Sequence, residues 1–175
     1  ADTALGATPA DTDELLVSDA GVLKRMDYSH IKAANTPAFY ANLSANQSID
    51  SATYTKINCD TEEFDSGVYD NSTNYRFTPA EAGKFYICGN LYINSMTDAK
   101  NFRLDIYKNG SSYAYGRNNS SKTGSSISTT ISIIDIADDD DYYEIFCYHN
   151  EGSALNVRGG ADNTTNFFAF KIIGA

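Results

Sequence analysis

Hydrophobic and polar positions alternate along most of this chain, and the clearest run begins at Phe85. Phe85, Ile87, Gly89, Leu91 and Ile93 fall on one side, and Tyr86, Cys88, Asn90 and Tyr92 on the other. A period of two over nine residues is the mark of a strand. Thr78-Pro-Ala-Glu-Ala-Gly83 precedes it as a turn, in which Pro79 holds φ and Gly83 supplies freedom for a positive φ. The same reading predicts strands at Phe39–Ser44, Tyr54–Cys59, Glu63–Val68, Tyr75–Phe77 and Lys84–Asn94. It continues with Asn101–Lys108, Ser112–Tyr115, Ile127–Ile136, Tyr142–His149 and Asn166–Ile173. Asn109-Gly110 is a strong hairpin turn between two of them. The stretches Arg117–Ser126 (within the polar segment 116–126) and Glu151–Asn163 read as loops. Ahead of all this, Leu15, Leu16 and Val17, a Ser-Asp-Ala-Gly turn, then Val22 and Leu23 predict a small hairpin, with one helical turn from Asp27 to Ile31.

The order of aromatic and glycine residues carries more than strand positions. Phe64, Asp70, Tyr75, Phe77, Gly83, Phe85 and Ile87 follow one another at spacings that resemble the signature of the C1q/TNF-like family of trimeric jelly rolls. Two departures are visible. Only Arg76 separates Tyr75 from Phe77 where the family has a longer spacer, which a shortened hairpin loop absorbs, and Ile87 replaces an aromatic with another large strand former. Lys108-Asn109-Gly110 and the closing run Thr165–Ile172 extend the resemblance over about residues 37–175. It implies an all-β fold: a ten-stranded jelly-roll β-sandwich, assembled as a homotrimer. Residues 1–36 then form a linker and small hairpin, attaching the head to a shaft or particle and adding trimer contacts. The segment LLVSDAGVLKRMDYS resembles short linking elements of bacteriophage tail fibres and other phage structural proteins.

Composition narrows the function. The chain has 175 residues, 13 Tyr, 9 Phe and 12 Gly, enough for one sizeable all-β domain and an appendage. A formal net charge of −10 leaves no basic patch for nucleic acid. The sequence shows no apolar run long enough to span a bilayer and no secretory signal. Lacking an initiator Met, it reads as a processed chain or a fragment of a longer one. Cys59, Cys88 and Cys147 are widely spaced with no Cys/His cluster, so they read as buried free thiols, a Cys88–Cys147 bridge being the alternative.

Candidate chemistry is sparse. His30 and His149 lie in no Ser/His/Asp or HExxH arrangement, and no enzyme activity is expected. The run Asp138, Asp139, Asp140 and Asp141, with Asp135 nearby, offers hard oxygen ligands for Ca²⁺ or a solvated acidic turn. No other cofactor is implied. Tyr113, Tyr115, Tyr142, Tyr143 and Tyr148 serve either as subunit interface or core, or as stacking surfaces for sugar rings. The candidate recognition loops carry Arg117, Asn118, Asn119, Lys122, Arg158 and Asn163, in a Ser/Asn/Gly-rich setting suited to adaptable hydrogen bonding. Asn42, Asn46, Asn71 and Asn163 head Asn-x-Ser/Thr triplets, a by-product of polar composition. The expectation is a non-enzymatic virion protein, the head of a phage fibre or spike that binds a cell-surface receptor, a glycan foremost. The alternatives are a purely structural decoration or fibre-capping trimer and a secreted bacterial adhesion or matrix module.

Overall fold

The structure is a computed structural model and describes residues 9–31 and 35–172. Most of the linker predicted over residues 1–12, and Ile173 of the predicted last strand, lie outside the described residues. The chain divides into two compact units, with the break between Ala34 and Asn35.

The first unit is a hairpin of β1 (Glu14–Asp19) and β2 (Val22–Asp27), followed by a single 3₁₀ turn at Tyr28–His30. Ala20 and Gly21, at φ of 50° and 85°, make the two-residue turn, the conformation whose twist suits adjoining strands. Arg25 Nη1 pairs with Glu14 at 2.8 Å, and Lys24 with Asp19. Leu15, Leu16, Val22 and Leu23 are all exposed. A two-stranded hairpin is marginal alone in water.

The second unit is a β-sandwich of thirteen strands among the described residues. They are β3 (Ala38–Asn42), β4 (Gln47–Ile49), β5 (Thr55–Lys56), β6 (Thr61–Asp65), β7 (Tyr69–Asp70), β8 (Arg76–Phe77), β9 (Gly83–Met96) and β10 (Asn101–Lys108). Then come β11 (Ser111–Asn119), β12 (Ser125–Ala137), β13 (Tyr143–His149), β14 (Leu155–Val157) and β15 (Asn166–Lys171). One sheet runs β4-β14-β9-β15-β3-β6 with β12 on the free side of β9; the other runs β11-β10-β13-β8-β7 with β5 on β13. Every pairing is antiparallel, and the first and last strands of the unit are neighbours. This is a jelly roll: two sheets face to face, with long connections crossing between them.

Ten strands were expected and all ten have counterparts; β4, β7 and β14 are additional. Each is two or three residues long, too short to show a period. One boundary is corrected. The polar segment 116–126 is mostly strand, because β11 runs to Asn119 and β12 starts at Ser125, leaving a turn at 120–124. Ser, Asn and Gly there are hydrogen-bonded into ladders that composition alone does not reveal. In the turn before β9, Gly83 has a positive φ of 159°, as its place in the turn predicts, and Ala80 is left-handed at φ 60°.

The core lies between the sheets. Phe39 stacks on Tyr69 at 4.5 Å and on Phe77 at 5.0 Å, and meets Phe167 edge-on at 5.1 Å. Phe77 also touches Phe85 and Tyr143. The predicted inward row of β9 is buried throughout. The signature residues thus divide by job. Phe77, Phe85 and Ile87 are core, whereas Phe64 is 55% exposed and stacks on Tyr40. Asp70 holds the β7–β8 turn by accepting hydrogen bonds from the backbone N–H groups of Ser72, Thr73 and Asn74 and from Asn74 Nδ2. The Thr73 and Ser72 donors hold its carboxyl well below the usual carboxylate range. Tyr75, at φ 49°, closes that shortened turn.

Candidate functional site

The two outward sheet faces differ in chemistry, and the period of two dictates what each carries. On the first sheet, residues that alternate with the core positions of β6, β3, β15 and β9 bring Phe64, Tyr40, Phe168, Tyr86 and Phe170 together on the surface. They form a continuous ladder with ring centroids 5.3–6.4 Å apart. β12 adds Ile134 and Ile136 beside them, opposite Tyr86 and Lys84 and 66% and 69% exposed. Farther along, the same face becomes polar. Thr130 donates to Asn90 Oδ1 at 2.6 Å, and Asn90 Nδ2 donates to Asn166 Oδ1 at 2.7 Å. Asn42 Nδ2 donates to Glu63, while Asn42 Oδ1 is buried with no partner among the described residues.

Ile134 and Ile136 are outward because Asp135 is inward. Its carboxylate receives the Lys108 ammonium at 2.8 Å and the hydroxyls of Tyr143 (2.6 Å) and Tyr113 (2.8 Å). Asp141 meets the same ammonium at 2.9 Å and accepts from Asn109 Nδ2. Burial opposes both carboxylates, but the Lys108 hydrogen bond leads the groups that outweigh it, and both titrate below their ordinary value. Burial likewise opposes the Lys108 charge, and hydrogen bonds to Asp135 and Asp141 carry its pKa upward overall. The acidic run therefore splits. Asp141 and Asp135 are tied to a lysine, while Asp138, Asp139 and Asp140 are exposed. Among the described residues no three His, Cys, Asp or Glu converge so as to hold a metal.

The second sheet's outward face is built around Arg103 on β10. Its guanidinium forks onto Asp105, with Nε–Oδ1 and Nη2–Oδ2 both at 2.5 Å, and Ser112 donates to the same carboxylate. Asp105 is fully buried beneath it. The guanidinium carbon lies 3.6 Å from the Tyr115 ring centroid and 5.3 Å from that of Tyr54, and Tyr54 packs on Tyr148 at 4.8 Å. Lys56 pairs with Glu144 at 2.5 Å, and Tyr107 stacks on Phe146. Tyr54, Asn101, Arg103, Tyr115, Arg117 and Tyr148 line an open groove of about 260 Å³.

The predicted recognition residues scatter. Arg117, Asn118 and Asn119 sit on β11, a correction of the loop expectation, and of these only Arg117 reaches the groove. Lys122 lies in the 120–124 turn. Arg158 follows β14, pairs with Asp162 and lies over Tyr92. Asn163, at φ 49°, reaches toward Glu63 on the first sheet's side. Of the tyrosines singled out, Tyr115 and Tyr148 line the groove, Tyr113 and Tyr143 serve Asp135, and Tyr142 packs under Arg76. Tyr54, Asn101 and Arg103 are the groove residues that sequence reasoning missed, and only the pairing of segments distant in the chain brings them in.

The remaining candidates are structural. His149 is buried, with Nε2 at 3.0 Å from Ile49 O and Nδ1 accepting from the Glu151 N–H, while His30 meets Ser29. Cys59, Cys88 and Cys147 are free and buried, so the Cys88–Cys147 bridge is not formed. Cys88 belongs to the outward row of β9, whereas Cys147 lies in the core between the sheets. Burial pushes the Cys59 and Cys147 thiols well above their ordinary pKa.

No family model matches the chain, and no curated protein matches it. Among solved structures, that of Eiger TNF from S. frugiperda is similar at a TM-score of 0.54 and 8% sequence identity, over 79% of this chain and 93% of that one. At that identity the likeness shows the fold alone, and with the two antiparallel sheets described above that fold is a jelly-roll β-sandwich like that of TNF.

Proposed function

We propose that this chain is a non-enzymatic component of a phage particle, the homotrimeric head of a fibre or spike that binds a cell-surface glycan receptor. The observation that carries the trimer is the outward face of the first sheet. A ladder of five aromatic rings continued by two isoleucines is the kind of contiguous apolar patch that soluble monomers rarely leave in water. Three copies of one face close around a threefold axis without leaving an open end. The hairpin of residues 14–27, with leucines and valine exposed, fits a connector that packs on copies of itself or on a shaft. The receptor role rests on the second sheet, whose outward face stays free when the first sheet is covered.

The test is solution mass by light scattering of the purified chain. A trimer of about 57 kDa, three times the 19.1 kDa chain, is expected. Binding to cells of candidate hosts then separates a receptor-binding head from a purely structural trimer. A stable 19 kDa species at micromolar concentration would remove the assembly on which the reading depends.

A further inference from the structure

We propose that the groove on the second sheet is an acidic-sugar site, in which Arg117 takes the anionic group and Tyr115, Tyr54 and Tyr148 take the ring. This rests on the receptor-binding reading above and names where and what that surface binds.

The first argument is a cross-strand charge conflict. Arg103 and Arg117 are register partners on β10 and β11, so two guanidinium groups stand directly opposite on one face. Like charges in that arrangement repel. Arg103 is neutralised by its bidentate bond to the buried Asp105. Arg117 is exposed and has no ion pair or hydrogen bond among the described residues. An uncompensated cation beside another, in a chain of net charge −10, is a localised positive point in a negative field. An anion on Arg117 resolves the conflict.

The second argument is rigidity. Fully burying the Asp105 carboxylate on an outward face carries a desolvation cost that a merely solvated sheet face does not need. Its consequence is that Arg103 lies flat and fixed against Tyr115, with Tyr54 and Tyr148 forming the adjoining wall. Tyrosines held this way offer apolar surface and a hydroxyl at little cost in conformational entropy on binding.

Shape and chemistry then select the ligand. A groove of about 260 Å³ lies below the roughly 300–1,000 Å³ of drug-sized pockets, which suits one terminal ring of a larger chain. Tyrosine faces match the apolar face of a pyranose; Asn101 and the phenolic hydroxyls match its hydroxyls. The charge requirement is met by a carboxylate or a sulfate ester, as in sialylated, uronate-bearing or sulfated oligosaccharides.

The experiment is calorimetric or saturation-transfer NMR titration of the full chain with sialylated, uronate-bearing and sulfated oligosaccharides, and with neutral oligosaccharides of matched size. Binding of at least one acidic class is expected, with neutral ones about 10-fold weaker or more, and weakening as salt rises. Arg117→Ala and Tyr115→Ala should each weaken binding about 10- to 100-fold, and Arg117→Glu should abolish it, at unchanged melting temperature and solution mass. Arg117→Lys should retain a measurable part of it. The three acidic arms identify which anion the site prefers. Equal binding of neutral sugars, no binding of any acidic class, or binding insensitive to the Arg117 and Tyr115 variants would each overturn the assignment. Host-cell binding that persists in those variants would leave the receptor-binding reading standing while removing this groove from it. If the variants lost their fold, protection of wild-type Tyr115 from tetranitromethane by the acidic sugar decides, and absence of protection counts against the site.

Discussion

Replacing Ile134 and Ile136 together by serine tests the assembly where its energetics are most transparent. Both side chains are about two-thirds exposed in a single chain. Full burial of an isoleucine relative to full exposure is worth roughly 1.5–3 kcal/mol, so covering the exposed two-thirds is worth about 1–2 kcal/mol for each. Six side chains, two from each of three copies, then contribute at most about 6–12 kcal/mol to a trimer. The lower figure alone corresponds to about four orders of magnitude in the dissociation constant. The subunit itself has little at stake. Neither residue is core, and an exposed strand substitution of this kind changes stability by no more than about 1 kcal/mol. The assays are sedimentation or light scattering across a dilution series, paired with circular dichroism melting of the diluted monomer. A wild-type trimer and a double variant that dissociates at concentrations where wild type does not, with its strand signal intact, is the expected result. A double variant that stays trimeric over the same dilutions would show that this face does not hold the copies together.

The other expectations follow from local packing and charge. Phe77→Ala empties the centre of the aromatic stack and should cost about 3–5 kcal/mol in urea unfolding, with binding surfaces untouched. Lys108→Met leaves Asp135 buried without its cation and should cost about 3–5 kcal/mol at neutral pH. Because Asp135 and Asp141 titrate below the ordinary carboxylate value, their stabilising contribution is complete above about pH 4–5 and is lost as pH falls through the lowered values. The wild-type advantage over Lys108→Met should therefore shrink in acid melts below pH 4, and an unchanged gap at pH 2 would refute the pairing. Gly159→Ala would place a Cβ 2.3 Å from Ala45 O, a backbone atom with little room to yield, so a loss of about 1–3 kcal/mol or more is expected by thermal melting. All three thiols should react with Ellman's reagent only after unfolding, with no change in mass on reduction.

Much of the sandwich could be read in advance where a strand is long and one of its faces is buried. β9, β10 and β12 alternate in sequence over most of their length, and the Asn109-Gly110 turn is specified by backbone chemistry that depends on nothing distant. β4, β7 and β14 were illegible because two or three residues carry no period, and their pairing is supplied by strands far along the chain. The end of β11 reads as a loop in the sequence because Asn, Ser and Gly resemble turn residues until a neighbouring strand satisfies their backbone groups.

The same division holds for the surfaces. Local alternation determined that Tyr86 and Tyr92 stand opposite the core row of β9, and it determined the fold class, because a side-chain period of two is a property of the backbone alone. Which outward residues meet was decided only by register across strands distant in sequence. That register joined Phe64, Tyr40, Phe168 and Tyr86 into one ladder, turned Asp135 inward onto Lys108 so that Ile134 and Ile136 face out, and set Arg117 opposite Arg103 beside Tyr54 and Tyr148. A pairing shift of one residue would send every one of these side chains to the other face, so hydrogen bonding between distant segments, and not composition, makes the candidate sites.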